Sequence, residues 1–393
     1  MVRPSATAAG ESLSSVTAGL NSWLEVDLDA VTANVAAIRD YIGPGIEIIA
    51  VVKANAYGAG SEVFAPALEA AGVDRFAVVW VQEAVALRRA GVTKPILVLG
   101  HAFPGDAVSS LQNDIMLTCH SRSLAEAVSV AAVAAGKTAR IHVKVDTGLH
   151  RFGVPLDEAV TLAEYARGLP GVVVEGLTTH MANADEEDDT FAELQHERFR
   201  EAVRRLPWIA YRHTANSATA IRRGELRYEG VRMGLALHGV LPAHTGGPAV
   251  TPALSLKARL ARVADVAPGE GVSYGLTWKA ANHAKVGLVP VGYADGWRRS
   301  LGNTASVLVH GQRVAMVGRV CMDQFLCDVT TVPGAAEGDE VVLFGKQGDA
   351  EISIDEVARL AGTISWDIMA SLQARLPRIY QRKGVVERVI AGG

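Results

Sequence analysis

Eight short apolar runs, separated by Ala-rich stretches that favour helix, repeat between residues 46 and 233 and limit the fold more than any other feature. The runs cover 46–52, 76–80, 96–99, 115–118, 141–145, 172–179, 209–214 and 230–233. Strands that are apolar on both faces need cover on both faces, which alternating helices provide. Eight strand–helix units over about 220 residues predict a (β/α)8, TIM-like barrel rather than an open sheet. The segment Ser123–Gly136 is one such helix, with a serine near its start and a glycine where a C-cap belongs. After about Pro252 the pattern changes to alternating strands at 286–291, 306–309, 314–317, 325–329 and 340–344, separated by Gly and Pro turns. His310-Gly311-Gln312-Arg313 reads as a hairpin turn, so this half is predicted to be a mainly antiparallel β domain. A last helix, 353–361, leads into the segment 363–380. The expected organisation is a flexible tail over 1–21, a barrel over 22–250 and a β domain over 251–393.

The chain has 393 residues, long enough for two domains, and a net charge of -4, which supports neither nucleic acid nor an anionic membrane as a partner. Cys119, Cys321 and Cys327 form no CxxC pair and no metal spacing. So few cysteines, in odd number, suit reduced thiols in a cytoplasmic protein. Residues 1–21 are rich in Ser, Ala, Thr and Gly, lack the apolar core of a signal peptide, and no stretch is long enough to span a membrane. The acidic run 185–189 reads as a solvated loop before a helix that starts near Thr190.

A barrel places functional side chains just past the C-terminal ends of its strands. Lys53 follows the first apolar run, Arg151 the fifth, His180 ends the sixth, Asn216 and Ser217 follow the seventh, and Arg232, Gly234 and Leu235 lie at the eighth. A lysine at the mouth of an apolar strand is poorly hydrated, which lowers its pKa and exposes a neutral amine for Schiff-base chemistry. The alternative is a lysine that extends its ammonium out of the strand end. Ser217, Gly234 and Leu235 lie after strands seven and eight, where barrels bind phosphate through backbone N–H groups and a hydroxyl.

Nine segments in one order resemble the alanine racemases, fold-type III enzymes dependent on pyridoxal phosphate. They are AVVKANAYG (50–58), KVDTG (144–148) with RFG (151–153), LTTHMANADEED (177–188), TANSA (214–218), VRMGLALHG (231–239), GVSYGLTW (271–278), PVGYADGW (290–297), GRVCMDQ (318–324) and TISW (363–366). The resemblance implies that Lys53 carries pyridoxal 5'-phosphate as a Schiff base and that Tyr274 is a second base. Racemisation removes a Cα proton from one face and returns one to the other, so a base on each face is the simple solution. His180 is implied to bond that tyrosine, and Arg232 to face the cofactor's pyridine nitrogen, where an arginine can only donate. Arg151 is implied to contact the cofactor's phenolic oxygen and the substrate carboxylate. Lys144 occupies a position that is often a carbamylated lysine. Tyr57, Ser217, Gly234 and Leu235 match the phosphate-binding set, with Asn216 beside it, and Leu99 lines the ring. Met322 and Asp323 match the substrate pocket and Tyr293 its entryway. Tyr274, Tyr293, Met322 and Asp323 are implied to reach the partner subunit's site, which makes a head-to-tail homodimer with shared active sites the minimal unit. The implied activity interconverts L- and D-alanine in the cytoplasm and supplies D-alanine for cell-wall peptidoglycan, with no metal.

Three positions depart from the family pattern. Trp366 and His238 stand where tyrosines are usual, the first of them a phosphate ligand, and Ala59 stands where histidine is common. The open alternatives are a racemase of another amino acid such as serine or lysine, a fold-III decarboxylase of basic or diacid amino acids, and a pyridoxal-phosphate carrier without turnover.

Overall fold

In the computed structural model, residues 10–242 and 246–392 are described. The chain divides into two compact units: one comprises residues 30–56 and 61–251, the other 10–29, 57–60 and 252–392 among those described. The strands are β1 (Ser22–Asp27), β2 (Glu47–Val51), β3 (Arg75–Val78), β4 (Ile96–Val98), β5 (Ile115–Cys119), β6 (Ala139–Lys144), β7 (Val172–Thr178), β8 (Tyr211–His213), β9 (Gly230–Met233) and β10 (Leu254–Arg259), with further strands beyond.

In the first unit, β2 to β9 form one parallel eight-stranded sheet in the order β8-β7-β6-β5-β4-β3-β2-β9. Its outer members approach each other, with Arg232 N–H donating to Ala215 O at 2.9 Å and Glu229 N–H to Arg212 O at 3.2 Å. The sheet is therefore a TIM-like barrel. Its strands lie within a residue or two of the predicted runs, because strands buried on both faces are written as unbroken apolar runs. The helix Arg122–Ala135 is capped by the Ser121 hydroxyl, which accepts from Leu124 N–H, and ends at left-handed Gly136.

The second unit is built on an 11-stranded sheet. The strands Ser306–Val309 and Gln312–Val317 join through His310 and Gly311, both with positive φ, the turn geometry that matches the twist of a hairpin. β1 belongs here and not to the barrel: it pairs antiparallel with β10 and parallel with the strand Arg378–Arg382. The expectation that the barrel domain begins at residue 22 is corrected to that extent. The expected tail is also shorter. Residues 1–9 lie outside the described residues, but Leu13–Thr17 is helical. Leu13, Val16 and Leu20, spaced three and four apart, pack on buried Trp23, Ile379, Val386 and Val389. No helix among the described residues is long and apolar enough to cross a membrane.

Candidate functional site

Lys53 follows β2 and is half-buried. Burial and the nearby Arg151 cation hold its amine below the ordinary lysine value, against a smaller opposing pull from Glu83. The backbone then makes a left-handed turn, with φ of 51°, 56°, 53° and 52° at Ala54, Asn55, Ala56 and Tyr57. L-residues resist that conformation at about 1–2 kcal/mol each. Local hydrogen bonds hold it. Glu83 accepts from Ala54 N–H at 2.7 Å through Oε1, and from Val79 and Trp80 N–H through Oε2. Asn55 Oδ1 accepts from Ser61 N–H at 2.8 Å. Strain of this kind persists where the surroundings over-determine it, commonly at functional sites.

Arg232, on β9, is 4% exposed. Its Nη1 donates to Thr178 Oγ1 (3.3 Å), His213 Nδ1 (3.0 Å) and His213 O (2.8 Å). Its Nη2 donates to Thr179 O (2.9 Å), His180 Nδ1 (3.1 Å) and Thr214 O (2.7 Å). Among the described residues, Nε–H alone has no partner and no carboxylate pairs with this cation. Glu229 pairs with Arg212 instead, at 3.8 Å. Burial lowers the Arg232 guanidinium to about 10, still protonated at neutral pH. Because a guanidinium only donates, His180 Nδ1 accepts, and the neutral ring carries its proton on Nε2. Burial, then the cations of Arg232, Arg151, Lys144 and Lys53, push His180 well below its ordinary value.

Lys144, at the end of β6, is 8% exposed. Burial, then Arg232 and Arg151, lower its amine to about 7. Its Nζ lies 4.8 Å from the Phe152 ring centroid. Asp146, the obvious partner, accepts from Gly148 and His150 N–H and pairs with the His150 ring at 3.2 Å. After β8, Asn216 caps the helix Ser217–Arg222 by accepting from Thr219 N–H at 3.0 Å. Ser217 Oγ accepts from Gly234 N–H at 3.1 Å, which joins the ends of β8 and β9. Leu235 opens the short turn Leu235–His238, and Leu99 follows β4, half-buried. Lys53, Lys144, Arg151, His180 and Arg232 thus form one cluster of basic side chains, with Asn216, Ser217, Gly234 and Leu235 also past the strand ends.

The second unit carries the other predicted residues. Tyr274 is 69% exposed in a turn whose neighbours Ser273 and Gly275 have positive φ. The Ser273 hydroxyl anchors that turn by donating to Arg319 O at 2.7 Å. Tyr293 and Met322 are exposed, and their loops are clipped together by Tyr293 N–H to Cys321 O and Ala294 N–H to Met322 O. A Cβ at Gly292 would collide with both of those carbonyls. Arg375 bridges Asp323 and Asp295 at 2.9 and 2.8 Å. Tyr57 is buried, which raises its phenol pKa. Trp366 is half-buried in the helix Ser365–Ala370, and Ala59 O accepts from Tyr380 OH at 2.8 Å. His238 is buried in the first unit, stacked on Phe64 at 4.4 Å, and burial lowers it to about 3. Its ring therefore acts as core filling.

Sequence reasoning missed Glu83, His142, His213 and Glu175. The available signal was alternation: Arg140, His142 and Lys144 are two apart on one face of β6, whose other face carries Ala139, Ile141 and Val143.

The fold and cluster define a class: a TIM-like barrel with two lysines of lowered pKa, one buried and one half-buried, among arginines at its strand ends, joined to a mainly antiparallel β unit. Residues 26–242 match the family model "Alanine racemase, N-terminal domain", and residues 253–380 match "Alanine racemase, C-terminal domain". The chain belongs to the alanine racemase family. It is 41% identical to an alanine racemase of Methanococcus maripaludis over 91% of this chain and 98% of that protein. One from Geobacillus kaustophilus is also 41% identical, over 92% and 95%. The crystal structure of alanine racemase from Bacillus anthracis with bound L-Ala-P is 37% identical, with a TM-score of 0.87 over 94% of this chain and 97% of that one.

Proposed function

We propose that the chain is a pyridoxal-phosphate-dependent racemase that interconverts L- and D-alanine, with Lys53 and Tyr274 as its two bases. The observation that carries this reading is the state of Arg232, which spends both Nη groups on the protein and leaves one N–H donor. A pyridine nitrogen needs one donor, so the residues fit the group. The lowered amine of Lys53 suits Schiff-base attachment. Ser217, Gly234 and Leu235 would hold the phosphate, with Asn216 in the same loop and Leu99 against the ring, and the family resemblance adds Tyr57 and Trp366 to the cofactor-binding set. When bound, the cofactor supplies an electron-withdrawing ring that acidifies the substrate Cα–H.

Arg232 would donate its remaining N–H to the ring nitrogen without giving up a proton, which would make the ring a moderate electron sink and limit side reactions. Arg151 orients the substrate carboxylate. Lys53 takes or returns the proton on one face of Cα. Tyr274 of the partner subunit serves the other face, with its phenol held by the Nε2–H of His180. Exposure of Tyr274, Leu276, Tyr293 and Met322 in a single chain supports a head-to-tail homodimer in which they complete the neighbour's site, with Asp323. Lys144, with its amine near 7, suits carbamylation, and a carbamate would set an anion beside Arg151. A cytoplasmic place and a D-alanine supply for peptidoglycan belong to the same reading.

Chiral chromatography of L-alanine, L-serine, L-lysine and L-arginine after incubation with protein and pyridoxal phosphate tests it. Dominant D-alanine is the expected result. Preferential turnover of a larger amino acid would overturn the substrate assignment and implicate Trp366, and no D-isomer at all would overturn the activity.

A further inference from the structure

A directed chain of hydrogen bonds runs through the barrel interior away from Arg232. Arg232 Nη1 lies 3.0 Å from His213 Nδ1, and His213 Nε2 lies 2.9 Å from His142 Nδ1. Both rings are 0% exposed. Arg232 can only donate, so in its bond to His213 Nδ1 that nitrogen accepts, with the Thr178 hydroxyl a second neighbour at 3.1 Å, and the ring's one proton sits on Nε2. That proton is donated to His142 Nδ1, which leaves the His142 proton on Nε2. This buried Nε2 has no hydrogen-bond partner among the described residues and faces Glu175 Oε1 at 3.9 Å. Each tautomer is thus set by the one before it, and the last N–H points toward a carboxylate just beyond hydrogen-bond distance.

The surroundings are shaped for this chain. Gly176 follows Glu175 on β7, and a Cβ there would collide with the His142 ring at Nδ1. The β6–β7 register shifts between Ile141 and His142. Arg75 pairs with Glu175 Oε1, and Arg140 lies 3.4 Å from Oε2. Burial alone would raise the Glu175 carboxyl, but His142 and Arg75 bring it down to about 2. The six acceptors around Arg232 are all neutral: three carbonyls, one hydroxyl and two imidazole nitrogens. A buried cation without a counter-ion is costly, and hydrogen-bonded chains polarise along their length.

We propose that Glu175, acting through His142 and His213, is a positioning residue for Arg232: the chain fixes both imidazole tautomers and gives the guanidinium a relayed counter-charge that keeps it charged and oriented. The kinetic consequence rests on the reading of Arg232 as the group facing the cofactor, whereas the tautomer chain does not.

The test is a long-range proton–nitrogen spectrum of holoprotein carrying 15N-histidine, with His142 and His213 assigned through single substitutions. Both rings should show an unprotonated Nδ1 and a protonated Nε2. Glu175→Gln should leave both tautomers in place, since they are set from Arg232, but shift the His142 Nε2–H resonances and lower kcat by about tenfold while KM changes less. Glu175→Asp should restore the wild-type pattern and most of kcat. A proton on His213 Nδ1 in the wild-type protein would overturn the chain, whether or not any variant folds. So would a Glu175→Gln protein with wild-type kcat and ring signals. The expected pattern in a protein that turns over no amino acid would support the chain and overturn the proposed function.

Discussion

The chemistry of this chain is set by cations that burial makes reluctant to hold their protons. Lys53 and Lys144 both lie below the ordinary lysine value, for burial first and neighbouring arginines second. Lys53→Ala removes the only nitrogen proposed to attach the cofactor, so the protein should lose the Schiff-base absorption band and all racemisation. A variant that kept the band would refute the assignment of Lys53. Lys144 makes a stability prediction whose sign follows from linkage. Its folded value is about 7, against about 10.4 for an unperturbed lysine. Below the folded value both states are protonated and the folded chain bears the whole cost of a buried ammonium. Between the two values the unfolded chain binds more protons, so stability rises with pH. Lys144→Met should therefore be stabilising relative to wild type at about pH 6, with the gap closing toward about pH 10, in carbonate-free buffer. Urea unfolding across that range measures it, and a gap independent of pH would contradict the lowered amine. In bicarbonate, the neutral amine and CO2 form a carbamate and release a proton. A 13C carbamate signal should appear in the wild-type protein and vanish in Lys144→Met.

At the scale of elements, the left-handed turn after β2 depends on one carboxylate. Glu83 accepts from the N–H groups of Ala54, Val79 and Trp80, so Glu83→Ala orphans three donors at once. Part of this site is open to water, so a loss of about 1–2 kcal/mol in unfolding free energy is expected, with weaker cofactor retention. Chemical denaturation of the apoprotein measures the first, and a change within error would show that the turn holds itself. Neither Glu83 nor the turn was legible in the sequence: Ala54-Asn55-Ala56 contains no glycine to announce positive φ, and the cap comes from a helix some 30 residues on. The eight barrel strands were legible because their double-sided burial is written as apolar runs. β1 was not, since its partners Leu254–Arg259 and Arg378–Arg382 are distant in sequence and local periodicity carries no pairing information. Cationic residues at strand ends could be found from position alone. The interior chain from His213 to Glu175 could not, because a buried polar residue on a strand looks the same whether it is a defect or one link in a network.

At the scale of the whole molecule, the proposed catalytic groups divide between residues of the barrel unit and exposed residues of the β unit. Tyr274 projects 69% exposed from a strained turn, and Leu276, Tyr293 and Met322 are also exposed. Single large apolar residues at a surface are ordinary, whereas a group of them from neighbouring loops is what the proposed homodimer would cover. If each site takes Lys53 from one subunit and Tyr274 from the other, Lys53→Ala and Tyr274→Phe are defects on opposite sides of it. A homodimer of either variant has two impaired sites. A mixed dimer gathers both defects into one site and leaves the other intact. After random subunit exchange half the dimers are mixed, so a mixture of the two variants should recover about one quarter of wild-type activity, by the symmetry of a two-fold dimer. Co-expression with two affinity tags, followed by racemisation assay of the doubly tagged species, makes the comparison direct, with about half the wild-type rate per dimer expected. Were both groups drawn from the same subunit, every subunit would carry one defect and mixing would recover nothing beyond the two parents.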